Sequence, residues 1–120
     1  MNVKLLAITL LAASMLAAAA EVPIRKSKAG LADDSGKTLY TYDKDSGEKS
    51  ACNGPCAQAW PPAKAAANAK PQGEFSIVTR DDGSKQWAYK GKPLYTHAQD
   101  KNAGDKTGEG QAGWRVATPK

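Results

Sequence analysis

The sequence is poor in the large aliphatic residues from which most small domains build a core. Beyond residue 20, Leu, Ile, Val and Phe together number nine, a scarcity that by itself is typical of disordered chains. No methionine follows Met15, which excludes a Met-rich copper carrier for the rest of the chain. The P-loop, G-x-S-x-G and H-E-x-x-H motifs are also missing, so common nucleotide-binding, esterase and metalloprotease signatures are absent.

The apolar N-terminal segment is predicted to be a signal peptide covering residues 1–20. Lys4 is its only charged residue, and an Ala-rich centre ends in an A-x-A exit just before Glu21. Its apolar run of about 16 residues is shorter than the roughly 20 that a membrane span needs, so cleavage is favoured over a membrane anchor. No Cys lies there to accept a lipid. We expect residues 21–120 to be periplasmic or secreted, without stable membrane insertion after processing.

Aromatic side chains compensate for the missing aliphatic ones. Three Trp, four Tyr and one Phe all lie beyond residue 20, and each can bury about 150–250 Å². The chain is long enough for one small domain, in which this thin aromatic core would be supported by a covalent crosslink.

Cys52 and Cys56 are the only cysteines, and an isolated pair this close is expected to form a disulfide after export. The alternative is a redox-active pair. Catalytic pairs usually have two intervening residues in a βαβ setting, whereas this pair has three and lacks that setting. A zinc site would need four ligands, and two Cys with the single histidine, His97, leave it one short.

Two parts of the chain repeat each other. Residues 36–45 and 91–100 are identical at six of ten positions with an offset of 55, and Gly54 and Trp60 match Gly108 and Trp114 with an offset of 54. Two matches at nearly the same offset indicate duplication of a unit of about 55 residues. Neither unit is large enough to fold alone, so each should supply one face of a shared core.

The predicted fold is all-β and mainly antiparallel, with two similar repeat units packed as one small domain. Repeat one covers about 30–62, a linker covers 63–73, and repeat two covers about 74–117. One short helix near 55–60 is the only helical candidate, since Pro61 and Pro62 must end it. Alternating apolar residues and turn signals predict strands, and a Gly-rich loop is predicted at Lys101–Gly113. The strands are Thr38–Tyr42, Glu74–Arg80, Gln86–Tyr89, Leu94–His97 and Trp114–Ala117.

Two positions of the repeat carry groups that could support chemistry. His97 takes the place of Tyr42 of the first repeat, so packing is favoured over a role as metal or haem ligand or as general base. Asp45 and Asp100 are equivalent and are expected to cap the turns that follow the strands. A paired acid and base is the alternative, if the repeat places the two carboxyl groups close together.

These residues resemble a bacterial family of secreted repeats, also described as predicted lipoproteins, with the motif Y-x-[FWY]-x-x-D. Residues 40–45 fit the motif fully, and residues 95–100 fit it except at His97. Further similar pieces are C-x-G-x-C-A with W-P-P at 52–62 and R-x-D-G with Q-W-x-Y at 80–89. The resemblance implies an envelope or secreted location and two repeats, and it implies no activity. The missing lipobox Cys means that the lipoprotein label is not carried over.

The preferred function is a non-enzymatic binding or structural module of the envelope, with an unknown ligand or envelope component as partner. Its ligand surface would be built from the repeat aromatics and the loop 101–113. No nucleic acid is expected as a partner, because the basic residues are scattered. No cofactor or metal is expected either, and we expect a monomer. One alternative is a redox or metal-handling protein that uses Cys52, Cys56 and His97. Another is a hydrolase whose Asp45 and Asp100 carboxyl groups lie within about 10 Å of each other. The repeat residues that are structural or binding candidates are Tyr40, Tyr42, Asp45, Trp60, Tyr95, His97, Asp100 and Trp114.

Overall fold

Short antiparallel strands make up nearly all of the regular structure in the described residues. The structure is a computed structural model that describes residues 22–27, 29–47 and 49–119, so the predicted signal peptide lies outside the described residues. One helix, α1 (Pro55–Ala59), begins with Pro55 at its first turn, as predicted. The strands are β1 (Ile24–Ser27), β2 (Gly30–Asp33), β3 (Tyr40–Tyr42), β4 (Phe75–Thr79), β5 (Lys85–Tyr89), β6 (Lys92–Pro93) and β7 (Trp114–Val116).

Three small sheets form from these strands. β1 pairs with β2, β3 pairs with β7, and β4, β5 and β6 form a three-stranded meander. The turn between β4 and β5 is the predicted one: Asp82 Oδ1 accepts hydrogen bonds from the Ser84 amide at 2.9 Å and its hydroxyl at 2.6 Å. Such a side-chain turn fixes the register of the two flanking strands. The all-β, antiparallel prediction with one short helix is therefore confirmed.

Each repeat ends on the sheet of the other repeat. At the end of repeat two, Ala117 bonds to the backbone of repeat one, with Leu31 N to Ala117 O at 2.8 Å and Ala117 N to Leu39 O at 2.8 Å. At the end of repeat one, Ala63 makes the matching pair, with Trp87 N to Ala63 O at 2.8 Å and Ala63 N to Leu94 O at 2.9 Å. This reciprocal exchange makes the two repeats one cooperative unit.

Two predicted segments differ from the structure. The predicted strand Leu94–His97 is not a strand, because its backbone bonds to three different neighbours in succession: Leu94 N to Trp87 O, Tyr95 N to Tyr40 O and Thr96 N to Pro61 O. The third strand of the meander is instead β6. The start of the predicted linker 63–73 is paired with β5, because it carries the exchanged end of repeat one. β1 and β2 were not predicted, since β1 is largely charged and exposed.

The interior consists of two clusters. The first is mainly aliphatic, and its buried members are Leu31, Leu39, Trp87, Tyr89, Leu94 and Ala117. The second is mainly aromatic, and its buried members are Tyr40, Cys52, Trp60, Tyr95 and Trp114. The second cluster contains four of the residues singled out by the repeat, so it is the place where the two units meet.

Candidate functional site

A symmetric backbone pair stands at the centre of the aromatic cluster. Tyr40 and Tyr95 form an antiparallel bridge, with Tyr40 N to Tyr95 O at 2.7 Å and Tyr95 N to Tyr40 O at 2.9 Å. Both tyrosines have no exposed surface. Because equivalent residues of the two repeats exchange identical hydrogen bonds, a pseudo-two-fold axis passes between them.

The two tyrosine hydroxyls cross between the repeats. Tyr40 donates to Oδ2 of Asp100 at 2.7 Å, and Tyr95 donates to Oδ2 of Asp45 at 2.7 Å. The other oxygen of each carboxylate accepts from the turn that follows: Oδ1 of Asp45 from the Ala51 amide, and Oδ1 of Asp100 from the Thr107 amide and hydroxyl. Each Asp therefore orders its own turn, in the manner predicted, and also links that turn to the tyrosine of the other repeat.

A buried arginine supports the Asp45 half of the site. Arg80 is 6% exposed and donates to Ser50 Oγ at 3.1 Å, to Gln86 Oε1 at 2.8 Å and to the Cys52 carbonyl at 2.6 Å. The Ser50 hydroxyl lies 2.5 Å from the Tyr95 hydroxyl. Gln86 in turn donates to the Leu94 carbonyl at 2.7 Å. A continuous polar network thus runs from the end of β4 to the Tyr95–Asp45 pair.

The Asp100 half is supported by the loop 101–113. The Gly108 amide donates to the Tyr40 hydroxyl at 3.2 Å, and a Cβ at Gly108 would stand 2.5 Å from Trp60 Cη2. Gly108 is therefore required by close packing, whereas the matched Gly54 faces open space with a φ of 58°. The predicted loop lacks strands and helices as expected, but Thr107 and Gly108 anchor it to the core.

The pKa values of the two equivalent carboxyls are shifted in opposite directions. Burial is the largest influence on Asp45, and it raises the pKa of that carboxyl in spite of hydrogen bonds from Ala51 and Tyr95. Burial acts in the same direction on Asp100, but hydrogen bonds from Thr107 and Tyr40 outweigh it and lower the pKa of Asp100. Burial also raises the pKa of both phenols, that of Tyr95 to about 12, so both hydroxyls stay protonated donors.

Four rings from the two repeats form one continuous stack. Trp60 and Trp114 stack at its centre, with ring centroids 3.8 Å apart and an interplanar angle of 4°. Tyr42 stacks on the outer face of Trp114 at 4.2 Å, and His97 lies on the outer face of Trp60 at 4.1 Å. The stack obeys the same two-fold relation as the Tyr40–Tyr95 pair, so His97 occupies the position that Tyr42 has in the first repeat.

His97 is 7% exposed and its Nδ1 lies 2.8 Å from the Thr107 hydroxyl. Thr107 gives its single hydroxyl proton to the Asp100 carboxylate, which can only accept. The Thr107 oxygen must therefore accept from His97 Nδ1–H. Packing with one ring hydrogen bond is the arrangement that the sequence favoured over a ligand or general base.

Cys52 and Cys56 are joined by a disulfide with Cα atoms 5.2 Å apart. Cys52 is buried and Cys56 is half-buried in α1. The groups around His97 are Thr107, Asp100, Tyr40 and Trp60, and no cysteine is among its contacts. Within the described ranges, no three His, Cys, Asp or Glu side chains are grouped so that they could hold a metal ion.

The supporting residues Arg80, Gln86, Ser50 and Thr107 were not identified as site residues from the sequence. Buried polar side chains give no signal in hydrophobic periodicity, because Arg80 and Gln86 read as turn and strand-edge residues. The one available signal for Arg80 and Gln86 was their presence in the R-x-D-G and Q-W-x-Y pieces of the family resemblance. Four of the repeat aromatics are buried, so Tyr40, Tyr95, Trp60 and Trp114 form a structural centre and do not line an open ligand surface.

Comparisons with known proteins place this arrangement in a family. A family model described as a secreted repeat of unknown function (Lipoprotein_15) matches the chain twice, over residues 23–64 and 76–118. The first match ends at the exchanged segment around Ala63, and the second ends just after Ala117, so each contains one complete Tyr–Asp motif. No curated protein and no solved structure gives a significant match. In the described part of the chain, no helix has the length and apolar character to cross a membrane. The two matches together cover most of the chain, which therefore belongs to this family of secreted repeats.

Proposed function

We propose that the protein is a monomeric, non-enzymatic binding module of the bacterial envelope, acting in the periplasm or outside the cell. The observation that carries the proposal is the crosswise Tyr–Asp exchange. Both oxygens of Asp45 and of Asp100 accept hydrogen bonds that hold the repeats together, so the two carboxyls best suited to acid–base chemistry serve the fold. Catalytic acids and bases need access to a substrate proton, which these internal bonds oppose.

The same reasoning supports a binding role for the exterior. The disulfide, the ring stack and the exchanged chain ends fix the backbone from several directions, and short turns connect these fixed points. A surface carried by such a rigid centre loses little conformational entropy when it binds a partner.

The test is retention of the exported protein on washed envelope fragments, measured by sedimentation over a range of protein concentrations. We expect saturable retention, also on fragments that have been boiled to inactivate their own enzymes. We also expect no turnover of glycoside or ester reporter substrates. Retention that rises linearly with concentration would contradict a specific binding module. Turnover that is lost in Asp45→Asn or Asp100→Asn variants that remain folded at the assay temperature would establish the hydrolase alternative instead.

A further inference from the structure

A basic cleft on one side of the molecule is not explained by the packing of the repeats. It has a volume of about 200 Å³ and lies between the β5–β6 turn and β7. It is lined by three cations, Lys90, Lys92 and Arg115, together with the hydroxyl residue Thr41 and the aromatic residue Tyr89. No acidic residue is among the described residues that line it.

The cations of this cleft are available to an incoming anion. Lys92 is exposed, and its side chain has no hydrogen-bond or ion-pair partner among the described residues. Lys90 pairs with Glu74 at 3.5 Å and Arg115 pairs with Asp43 at 3.0 Å, with all four side chains at least 40% exposed. Exposed ion pairs contribute little to stability, so these two cations can exchange their carboxylate partners for a ligand.

The pseudo-two-fold relation shows that the cleft is confined to one side. The repeat offsets relate Lys92 to Lys37 and Arg115 to Pro61. Lys37 is tied internally, since its ammonium donates to the Asp100 carbonyl at 3.0 Å, and Pro61 carries no charge. The equivalent face therefore lacks a free cation at both positions, and the basic cleft is a feature added to the common plan.

The lining of the cleft indicates the chemistry of its ligand. Lysine and arginine bind phosphate oxygens, and arginine does so with a planar pair of donors. The lining also includes Tyr89, Val116 and Ala117, whose carbon-rich side chains suit the carbon skeleton of an ester better than a bare ion. Without the predicted signal peptide, which carries Lys4, the chain keeps a net charge of +4, and this charge attracts it to anionic surfaces.

We propose that this cleft binds the phosphate of anionic phospholipid headgroups, so that the exported protein associates with the surface of a membrane. The proposal rests on the binding function proposed above and names its partner. Lys92 and Arg115 contact the phosphate, and Lys90 neutralises it from the β5–β6 turn. The glycerol portion of the headgroup lies against Tyr89, Val116 and Ala117.

The test is sedimentation of the exported protein with vesicles of phosphatidylcholine, alone or mixed with phosphatidylglycerol. The variant Lys90→Gln/Lys92→Gln/Arg115→Gln is compared with the control Lys64→Gln/Lys70→Gln/Lys101→Gln, which removes the same charge from exposed positions outside the cleft. Each cleft cation should contribute about fivefold to partitioning, so the cleft variant should bind roughly 100-fold more weakly while the control loses much less. Unchanged far-ultraviolet circular dichroism and melting temperature establish that both variants are folded.

Equal losses in the two variants would overturn the proposal, because net charge alone would then explain the binding. Binding to neutral vesicles, or to no vesicles, would overturn it as well. An NMR titration with inorganic phosphate supplies the remaining arm: saturation of the cleft amides by phosphate without any vesicle binding would replace the membrane by a soluble anion. If the cleft variant is still retained on envelope fragments like the parent protein, the lipid site is wrong while the binding module stands.

Discussion

The two repeats share one backbone plan, but they stabilise it with different polar groups. In the first half, the Asp45–Tyr95 pair is connected to a buried arginine and lies close to the disulfide. In the second half, the Asp100–Tyr40 pair is connected to a threonine and a glycine amide of a long loop. The reciprocal chain ends, the tyrosine bridge and the tryptophan stack obey the two-fold relation, whereas the groups around them do not. The duplication therefore keeps the backbone exchange and the ring stack, whereas the polar groups that support each Tyr–Asp pair differ between the two halves.

This difference has an electrostatic consequence. Arg80 lies close enough to favour the ionised form of Asp45, but burial outweighs it and raises the pKa of that carboxyl. At Asp100, three hydrogen bonds from Thr107 and Tyr40 outweigh burial and lower the pKa of the carboxyl. Asp45 accepts two such hydrogen bonds, from the Ala51 amide and the Tyr95 hydroxyl, and there burial outweighs them.

The largest expected effect is on the ring stack, where the repeats should behave alike. Trp60→Ala and Trp114→Ala should each lower the free energy of unfolding by about 3–5 kcal/mol, because each opens a large cavity against the other ring. The measurement is urea unfolding followed by circular dichroism. Phe75→Ala, at a half-buried ring outside the stack, is the control and should cost less. A loss below about 1 kcal/mol at one tryptophan only would break the two-fold equivalence.

The disulfide is the main covalent asymmetry between the repeats. The double variant Cys52→Ala/Cys56→Ala should lower the free energy of unfolding by about 2 kcal/mol, since it releases a small closed loop in the unfolded chain. Arg80 donates to the carbonyl of Cys52 and not to its sulfur, so this hydrogen bond remains in the variant. The circular dichroism spectrum of the folded variant should therefore match that of the parent protein.

The reduction potential of the same disulfide separates the structural role from the redox alternative. A structural disulfide of an exported protein should have a potential below about −300 mV. A value in the range of thiol oxidoreductases would favour the redox alternative, whatever the stability of the double variant.

The two aspartates should differ in both the size and the pH dependence of their contributions. Asp100→Asn should cost about 1.5–3 kcal/mol at neutral pH, because it removes the charge from a carboxylate that accepts three hydrogen bonds. Asp45→Asn should cost less than about 1 kcal/mol, because the Tyr95 hydroxyl keeps its contact with Ser50. Asp34→Asn, at an exposed turn, is the control. Equal losses at the two sites would contradict the electrostatic difference.

The pH dependence has opposite signs at the two sites. The stabilisation from Asp100 is present above the unfolded pKa of about 3.9 and is lost as the pH falls through the lowered folded value. For Asp45 the folded pKa is raised, so its contribution is present below about 3.9 and is lost as the pH rises through the folded value. Unfolding curves of each variant between pH 2 and 7 should therefore differ from the parent protein in opposite directions.

The features that follow directly from the duplication could be predicted from the sequence. The matches at residues 36–45 and 91–100 predicted two β units, and the pairing of Gly54 to Trp60 with Gly108 to Trp114 supported the same duplication. The reciprocal exchange at Ala63 and Ala117 was not predicted, because strand alternation carries no information about which partner completes a sheet.

The polar half of the site was beyond local patterns for a different reason. Arg80 is buried because Ser50, Gln86 and the Cys52 carbonyl together satisfy its donors, and these groups are up to 30 positions apart in the chain. Only a tertiary arrangement brings such donors and acceptors together. A basic residue at the end of a strand is therefore expected to be exposed until its partners are known.

A small effect is also expected at His97, where the second repeat departs from the aromatic motif. His97→Tyr should change the free energy of unfolding by less than about 1.5 kcal/mol, because a tyrosine already occupies the equivalent place on Trp114 and stacks there at 4.2 Å. The exchange removes the bond from Nδ1 to Thr107, but Thr107 keeps both of its bonds to Asp100. The reverse exchange, Tyr42→His, is the matched control, and it should cost more because, among the described residues, Tyr42 has no threonine hydroxyl as a hydrogen-bond partner. In the parent protein, ¹⁵N shifts of the neutral ring should show the proton on Nδ1, as the Asp100–Thr107–His97 chain requires. A proton on Nε2, or selective broadening of the ring signals by sub-stoichiometric Cu²⁺ or Zn²⁺, would mean that His97 has acquired a role that Tyr42 does not have.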